Sequence, residues 1–559
     1  MKASASQRSP TETGGPADPA RRRQAGVDPG TGQPRPGRHH LPDGVAQLHV
    51  PFRSILAVEE ATPAAAEEPE PEYFADLHLN DIVTSVTAGR DAYDLRPFFH
   101  ARVRDVATVQ YRHDVFRDLE KEAVLRVIRA FSRQMLAVRE RLARAAKVRY
   151  RYEAERWFLD AAEAYTAAVV GLARDLETAE VQSTGLLALA EFLNGHVASD
   201  DFKRLTADTE RVRADLAEVR YRLRIEGGRV TVGRHDGEPD YGAEVLASFE
   251  KFRQGAGKEY GFDFSPWPDM NHVEAAILDR VALLFPAPFA ALDDYRTNDA
   301  DFLDPTIARF DREIQFYVAY LEHVERLRAT GLPFCYPDVN DRSKEIRGRA
   351  TFDLALAASL LAEQKPVVTN DLDLQGGERI LVVSGPNQGG KTTFARMVGQ
   401  LHHLAAIGVP VPGTESRLPL VDRIFAHFER VEDVEDLAGK LENDLRRIHA
   451  ILDDATAESL LIMNESFSST TLTDQLVINN AVLRAIIDRG MICVVVTFLD
   501  ELASLDPSTV SMVSTVDPEE PARRTFKIVR RPADGLAYAM AIAEKHRLTY
   551  RRVKDRLRR

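Results

Sequence analysis

The most informative segment of the chain reads Ile380-Leu-Val-Val-Ser-Gly-Pro-Asn-Gln-Gly-Gly-Lys-Thr-Thr-Phe394. It starts with a short apolar run that is typical of a buried strand, passes through a glycine-rich loop and enters a helical pattern at Phe394. Glycines allow backbone N–H groups to turn inward around phosphate oxygens, and the N-terminus of the following helix adds positive potential. Because strand, loop and helix follow in the required order, the segment predicts a P-loop that binds ATP, in preference to an ordinary glycine-rich turn.

Individual residues of this loop have distinct expected roles in binding the nucleotide and its metal ion. Lys391 is expected to reach the β and γ phosphates, and the Thr392 hydroxyl is expected to bind Mg²⁺. ATP and Mg²⁺ are therefore the expected cofactors. The predicted nucleotide-binding residues are Gly385, Pro386, Asn387, Gln388, Gly389, Gly390, Lys391, Thr392 and Thr393.

A second apolar run, from Leu460 to Met463, predicts another buried strand and ends in Asn464-Glu465. P-loop ATPases place acidic residues after the corresponding strand. Glu465 is thus predicted to orient the attacking water and, with Lys391, to be catalytic. Asn464 is predicted to hold Mg²⁺ through a water molecule. An isolated strand followed by glutamate would be weak support, but its position after the P-loop favours this interpretation.

A third apolar run, from Met491 to Val496, ends in Thr497-Phe498. From this position a side chain can sense the γ-phosphate, and Thr497 is the polar candidate. Phe498 cannot donate a hydrogen bond. A plain strand end is an equally good interpretation of this segment.

The composition of the chain fits a large globular protein. At 559 residues, with 44% hydrophobic residues, it has room for two to four domains. The net charge of −13 excludes a uniformly basic surface, although a local basic patch could still hold phosphates. Two distant cysteines, Cys335 and Cys493, favour a reduced cytoplasm over a disulfide framework. The absence of a long apolar run predicts a cytoplasmic protein with no membrane partner.

The local sequence patterns divide the chain into three regions. Residues 1–71 are rich in proline, glycine and charge and predict a disordered tail. Residues 72–332 are mainly helical, with apolar residues such as Val124, Ile128 and Phe131 recurring every three or four positions. Residues 333–559 alternate strands with helices, so we expect an α/β P-loop ATPase domain there.

One segment interrupts the helical pattern with alternating polar and apolar residues around Gly227-Gly228. It predicts a small β-hairpin within residues 220–242, after which helices resume near Val245. Arginines at its outward positions could meet a phosphate backbone, although an ordinary exposed hairpin is the somewhat better interpretation. The arginine-rich stretch from Lys121 to Arg156 is likewise better explained as a solvated helix face than as a nucleic-acid contact.

With these residues in view, the ATPase part resembles the MutS family of DNA mismatch-repair proteins, in a short form. The P-loop is similar to that family's GPNMGGKST loop, and Val421 to Phe425 to its IDRIFTR segment. The resemblance implies an ABC-like, MutS-type ATPase domain preceded by a helical lever domain. It also implies a homodimer in which the partner's segment completes each P-loop. The residues of that trans-acting segment are Ser469, Thr470 and Thr471.

The chain also departs from the family pattern. Asn464 replaces the usual metal-side aspartate, Phe498 the usual histidine, and Val367 the aromatic residue that normally stacks on adenine. These changes point to weaker metal binding and slow hydrolysis without loss of ATP binding. No Phe-x-Glu wedge occurs in the first hundred or so residues, so mismatch reading of that kind is not expected. An appended nuclease domain of the kind that some relatives carry is likewise not expected.

The expected function is an ATP-dependent switch on duplex or branched DNA that acts in DNA repair or recombination. ATP would close a dimeric clamp. Hydrolysis, which is expected to be slow and to be stimulated by DNA, would reset the clamp. The alternative is a nucleotide-gated protein scaffold that binds little DNA. A small-molecule kinase is disfavoured by the long helical arms.

Overall fold

A computed structural model of the chain describes residues 52–58, 69–237, 270–429, 439–517, 519, 523–533, 550 and 553–554. Most of the predicted N-terminal tail and the helices expected near Val245 lie outside these residues. The described residues from Phe52 onward belong to one compact unit. Within the described residues, no single helix is long and apolar enough to cross a membrane; only the bent pair His272–Leu284 and Pro286–Asn298 reaches that length and hydropathy jointly.

Helices dominate the first part of the described chain. They are α1 (Tyr73–Asp76), α2 (Leu79–Thr87), α3 (Arg96–His100), α4 (Val106–Leu119), α5 (Glu122–Lys147), α6 (Arg151–Thr178), α7 (Thr184–Ala198), α8 (Asp200–Ala217), α9 (His272–Leu284), α10 (Pro286–Asn298) and α11 (Pro305–Arg328), with a 3₁₀ turn at Asp91–Tyr93.

The long helices α5 and α6 pack against each other across a short connection. Helix α5 buries Val124, Ile128 and Phe131 at the spacing that the sequence predicts. Arg126 and Arg133 are exposed, whereas Arg139 pairs with the buried Asp311 of α11. Side-chain caps fix where several helices begin: Asp105 accepts from Thr108 N at 2.7 Å and so starts α4. The described residues between Tyr73 and Arg328 are therefore mainly helical.

An N-terminal strap, residues 52–58, corrects the predicted extent of the disordered tail. Ile55 is fully buried, and its N–H donates to Glu313 Oε2 at 3.0 Å. Its carbonyl accepts from Tyr317 Oη at 2.6 Å, and Leu56 O accepts from Arg112 Nε at 2.8 Å. Side chains of α4 and α11 thus replace the hydrogen bonds that a strand or helix would supply. The prediction of a disordered tail that reaches residue 71 is therefore wrong for the strap, because these contacts hold the strap in an ordered conformation.

A β-hairpin follows α8. Strands β1 (Tyr221–Glu226) and β2 (Arg229–Arg234) pair antiparallel around Gly227-Gly228. The arginines of β1 alternate with Leu223 and Ile225, and both sides of that strand are exposed.

The second part of the described chain contains the remaining strands and helices. The strands are β3 (Phe334–Cys335), β4 (Asp338–Asn340), β5 (Ile346–Thr351), β6 (Asn370–Leu374), β7 (Ile380–Ser384), β8 (Val411–Pro412), β9 (Glu415–Pro419), β10 (Ile424–Phe428), β11 (Leu460–Asn464), β12 (Ile492–Val496), β13 (Thr509–Val516) and β14 (Arg524–Arg530). The helices are α12 (Leu354–Ala362), α13 (Lys391–Ala406), α14 (Lys440–Asp454) and α15 (Leu472–Arg489), with a 3₁₀ turn at Asp500–Ser504.

The central sheet has the order β10-β11-β12-β7-β13-β14, and only β14 is antiparallel to its neighbour. The four strands β4-β9-β5-β6 form a second, smaller sheet, and β3 and β8 form a separate two-stranded sheet. Alternate residues of β7, such as Leu381 and Val382, enter two different apolar clusters. Burial on both faces explains the unbroken apolar runs of these strands. The α/β expectation for this part is confirmed.

Helix α13, which follows the P-loop, ends against the helical part of the protein. Arg112 Nη1 donates to Ile407 O at 2.8 Å, just past the end of the helix. Gln400 Nε2 donates to Leu77 O at 2.9 Å. Since Arg112 is buried and also binds Leu56 O, one side chain joins α4, the strap and α13.

Candidate nucleotide site

The loop between β7 and α13 has the backbone shape of a phosphate cradle. Gly385, Gln388 and Gly390 have φ angles of 112°, 60° and 91°. Backbone in this left-handed region turns neighbouring N–H groups toward a common centre. Gly390 is also the N-cap of α13, so the cradle meets the positive end of that helix.

Gly389 fixes the cradle against strand β13. Its carbonyl accepts a hydrogen bond from Ser514 Oγ at 2.8 Å. A Cβ at residue 389 would lie 2.2 Å from Ser514 Oγ and 2.9 Å from Pro386 O. The loop therefore has no space for a side chain here, which is the fit expected of a phosphate-binding turn.

Replacing Gly389 with alanine should weaken ATP binding at least about tenfold, because the loop must move away from Ser514 and Pro386 to admit the methyl group. Titration calorimetry with a non-hydrolysable ATP analogue measures the loss. Gly377→Ala is the matched control, since a Cβ at that residue meets nothing within 4 Å. An unchanged dissociation constant in Gly389→Ala would show that the cradle is looser than its geometry indicates.

Lys391 lies inside the cradle and is 4% exposed. Its Nζ donates to Gly385 O at 3.1 Å, to Pro386 O at 3.3 Å and to Asn387 Oδ1 at 3.4 Å. Burial lowers the pKa of the ammonium, and the nearby Glu465 carboxylate opposes that shift. A buried cation in a ring of backbone groups attracts an anion.

Thr392 and Asn464 provide neighbouring oxygen atoms at the mouth of the cradle. Thr392 Oγ1 donates to Asn464 Oδ1 at 2.9 Å. Strand β11 brings Asn464 there because it runs parallel to β12, which in turn runs parallel to β7. Mg²⁺ prefers oxygen ligands and usually keeps several waters, so one hydroxyl and one amide oxygen fit an ion that also binds nucleotide phosphates.

Glu465 follows β11 at a backbone turn with φ of 51°. Its N–H donates to Val496 O at 3.0 Å, which ties the turn to the end of β12. The carboxylate Oε1 lies 4.0 Å from Lys391 Nζ, and the side chain is 30% exposed. The structure thus brings together Glu465, Lys391, Thr392 and Asn464, the residues that the sequence predicts to be catalytic or to bind metal.

A buried polar group that the sequence did not indicate supports the turn after Glu465. His427 Nδ1 lies 2.8 Å from Ser466 Oγ, and His427 Nε2 lies 3.6 Å from Asp444 Oδ1. Burial raises the pKa of Asp444, and the Arg447 guanidinium opposes that shift. These contacts link β10, the turn and α14, so they hold Glu465 in its orientation.

The two residues after β12 differ in what they face. Thr497 is buried, and its Oγ1 accepts a hydrogen bond from Leu499 N at 3.0 Å, within its own loop. Phe498 is 48% exposed, and its ring centroid lies 4.3 Å from Lys391 Nζ. Phe498, and not the predicted sensor Thr497, is the residue of this pair that contacts the P-loop lysine.

The remaining residues that the sequence predicts for the site, Ser469, Thr470, Thr471 and Val367, lie in other local environments. Thr471 caps α15 by accepting from Asp474 N at 3.2 Å, and Thr470 Oγ1 donates to Asp474 Oδ2 at 3.3 Å. Ser469 precedes them and is exposed. Val367 is half-buried and packs against the main apolar cluster.

Two residues of strand β14 border the cradle and were missed from the sequence. Arg524 Nε donates to Asn387 O at 3.2 Å. Phe526 lies 3.7 Å from the Cβ position of Gly390, with 48% of its surface exposed and a φ of 58°. A positive φ at a bulky residue is uncommon, and here it coincides with the irregular register between β13 and β14.

Comparison with known proteins adds an independent observation. Residues 381–549 match the protein-family model described as MutS domain V. An Endonuclease MutS2 of Gemmatimonas aurantiaca is 33% identical over 156 residues, which cover 28% of this chain and 19% of that protein. A DNA mismatch repair protein MutS of Chlorobium phaeobacteroides is 26% identical over 347 residues, covering 60% and 37% respectively. The chain thus matches well under two thirds of the length of these relatives.

Proposed function

The chain belongs to the MutS family, and from that premise we propose that it is an ATPase of DNA repair or recombination that couples ATP binding to a change in its grip on DNA. The observation that carries the proposal is the convergence of Lys391, Thr392, Asn464 and Glu465 at one edge of the central sheet. Their donors and acceptors match what a nucleoside triphosphate presents.

Each side chain then has a distinct task. Lys391 binds the β and γ phosphates, and the backbone N–H groups from Gly385 to Thr393 surround them. Thr392 and Asn464 hold Mg²⁺, which neutralises phosphate charge when bound. Glu465 orients water for attack. Because the amide of Asn464 carries no negative charge, we expect slow turnover with intact binding.

The adenine side of the site lies near β14 in this proposal. Val367 offers only an aliphatic contact, whereas the exposed Phe526 ring beside Gly390 offers an aromatic face. Stacking a base on an aromatic ring is favourable for any base. Phe526 therefore takes the role that the missing aromatic at residue 367 would have had.

A second copy of the chain is the proposed partner at the nucleotide. Ser469 and Thr471 are exposed, Thr470 is half-buried, and the hydrogen bonds described above for this segment are local. It leads into α15, where Leu472 and Val477 are 71% and 63% exposed. Large exposed aliphatic side chains next to exposed hydroxyls are typical of an interface. ATP would bridge the two copies.

Contacts at the far end of α13 support a switch. A shift of this helix on nucleotide binding is transmitted through Arg112 to α4 and to the strap, and through Gln400 to the chain before α2. Packed elements of this kind respond by discrete rearrangement and not by gradual deformation.

The DNA contact is proposed at the hairpin β1–β2. Residues 220–237 carry five arginines against two acidic residues, in a chain whose net charge is −13. Arg224 pairs with Glu226 at 2.6 Å, and a phosphate must compete for it. The alternative, a nucleotide-gated protein scaffold, is favoured by the exposed apolar side of the same hairpin, where Ile225 is 72% exposed.

We expect the protein to dimerise with ATP and to bind DNA in a salt-dependent manner. Sedimentation with and without a non-hydrolysable ATP analogue tests the first point. Binding and ATPase assays on duplex, branched and single-stranded DNA at two salt concentrations test the second. ATP-dependent dimers that bind none of these DNAs at low salt would reject the DNA function and favour the scaffold. Failure to bind ATP would reject both.

A further inference from the structure

The aromatic ring of Phe498 is an unusual neighbour for a P-loop lysine. The ring centroid lies 4.3 Å from Lys391 Nζ, well within the distance at which a cation is attracted to the face of a benzene ring. The other contacts of the ammonium are two backbone carbonyls, Asn387 Oδ1 and, at 4.0 Å, Glu465 Oε1. The ring is thus an apolar member of an otherwise polar set.

The position of Phe498 determines what the end of β12 offers to the nucleotide. Its neighbour Thr497 is buried, and the Thr497 hydroxyl oxygen accepts from Leu499 N. Phe498 is the residue of the pair that reaches Lys391, and a phenyl ring has no N–H or O–H to donate. The end of β12 therefore offers the cradle an aromatic ring where a hydrogen-bond donor would assist a phosphate.

The ring and the ammonium stabilise each other because the site is partly dry. Lys391 is 4% exposed, and a cation–π contact gains strength as water is removed. Phe498 itself is half-exposed, so it is free to rotate away or to be covered by a partner. The contact can hold the lysine in the cradle before any nucleotide arrives.

We propose that Phe498 is a positioning residue of the ATP site, which holds the Lys391 ammonium in the cradle and, by offering the γ-phosphate no donor, keeps bound ATP long-lived. This inference rests on the proposed function and specifies how that site is regulated: ATP is retained as the holding state, and the chemical step is slow. Asn464, which lacks the charge of an aspartate, acts in the same direction.

Replacing Phe498 with ring-fluorinated phenylalanines in the full-length chain separates the electronic effect from shape. Successive fluorines weaken the negative face of the ring while keeping its size nearly constant. We expect the dissociation constant of a non-hydrolysable ATP analogue to rise stepwise, by about threefold to tenfold for the trifluoro ring. Phe498→Leu should weaken binding by a similar factor, because it keeps much of the volume but removes the aromatic face.

Phe498→His provides the complementary measurement. Its imidazole supplies a donor, so single-turnover hydrolysis should accelerate at least about tenfold. In the fluorinated variants, the affinity for the ATP analogue should fall by a larger factor than the single-turnover rate, because the ring acts on the nucleotide only through the lysine.

An ATP affinity that ignores fluorination but falls in Phe498→Leu would show that the ring is only an apolar cover and would overturn the proposal. An unchanged single-turnover rate in Phe498→His would overturn the retention part. If the wild-type chain bound no ATP, the proposed function would fail together with this inference. If the wild type binds ATP and only these variants behave otherwise than expected, the inference alone fails.

Discussion

Lys391→Ala should lower the affinity for ATP by about 100-fold or more. The ammonium is 4% exposed and is surrounded by the carbonyls of the P-loop, so its charge is concentrated where the phosphates are proposed to bind. A hydrogen bond to a charged group contributes about 1.5–3 kcal/mol, and this lysine is placed to make more than one to the β and γ phosphates. Titration calorimetry with a non-hydrolysable ATP analogue measures the effect, and the ATP-dependent dimer should be lost with it.

The control for this experiment is Lys365→Ala. Lys365 pairs with Glu363 on an exposed turn, so its loss removes a positive charge without touching the cradle. Both variants should keep the wild-type circular dichroism spectrum, since the contacts of the Lys391 ammonium described above are to P-loop oxygens, Glu465 and the half-exposed Phe498. Wild-type ATP affinity in folded Lys391→Ala would show that the lysine does not contact the phosphates.

Much of the nucleotide site could be predicted from the sequence because its parts are local. The strand, loop and helix around Gly385 to Thr392 follow one another in a single segment of sequence. The apolar run of β11 likewise indicates where Asn464 and Glu465 lie, because they follow that strand. Parallel strands then bring their carboxyl ends to the same edge of the sheet. Thr392 and Asn464, the two residues that the sequence predicts to bind metal, lie within hydrogen-bond distance of each other, at 2.9 Å.

The rest of the site depends on contacts between distant residues. Ser514 and Phe526 border the loop only because β13 pairs with β7 and β14 with β13. Neither residue carries a local pattern that indicates a ligand. The aromatic at residue 498 looked like a simple departure from a family pattern, and its contact with Lys391 becomes visible only in three dimensions.

The strap shows the same limit for the fold. The strap is apolar at five of its seven residues, but it has no helical or strand period, and the prediction of disorder followed the proline-rich and charged residues around it. Its order comes from Glu313, Tyr317 and Arg112, which satisfy the backbone groups of Ile55 and Leu56. The sequence pattern of a segment does not show which side chains, distant in sequence, will bind its main-chain atoms.

Glu465→Gln should keep ATP binding within a few-fold and slow hydrolysis by about 100-fold or more. The amide has nearly the shape of the carboxylate, and the N–H of residue 465 still binds Val496 O, so the turn is retained. What is lost is the basic oxygen 4.0 Å from Lys391, and a positioned general base contributes about 10² to 10⁴ in rate. Single-turnover hydrolysis separates this loss from any change in affinity.

The same substitution should trap the ATP-bound dimer, since binding continues while the step that resets it is blocked. Sedimentation after addition of ATP and Mg²⁺ should show a dimer that outlasts the wild-type dimer by a factor close to the loss in rate. Glu458→Gln is the matched control, because Glu458 lies before β11 at the opposite end of the strand and pairs with Lys344 at 3.1 Å. Turnover that remains at the wild-type rate in Glu465→Gln would remove Glu465 from its role and would require another residue near Asn464 to orient the water.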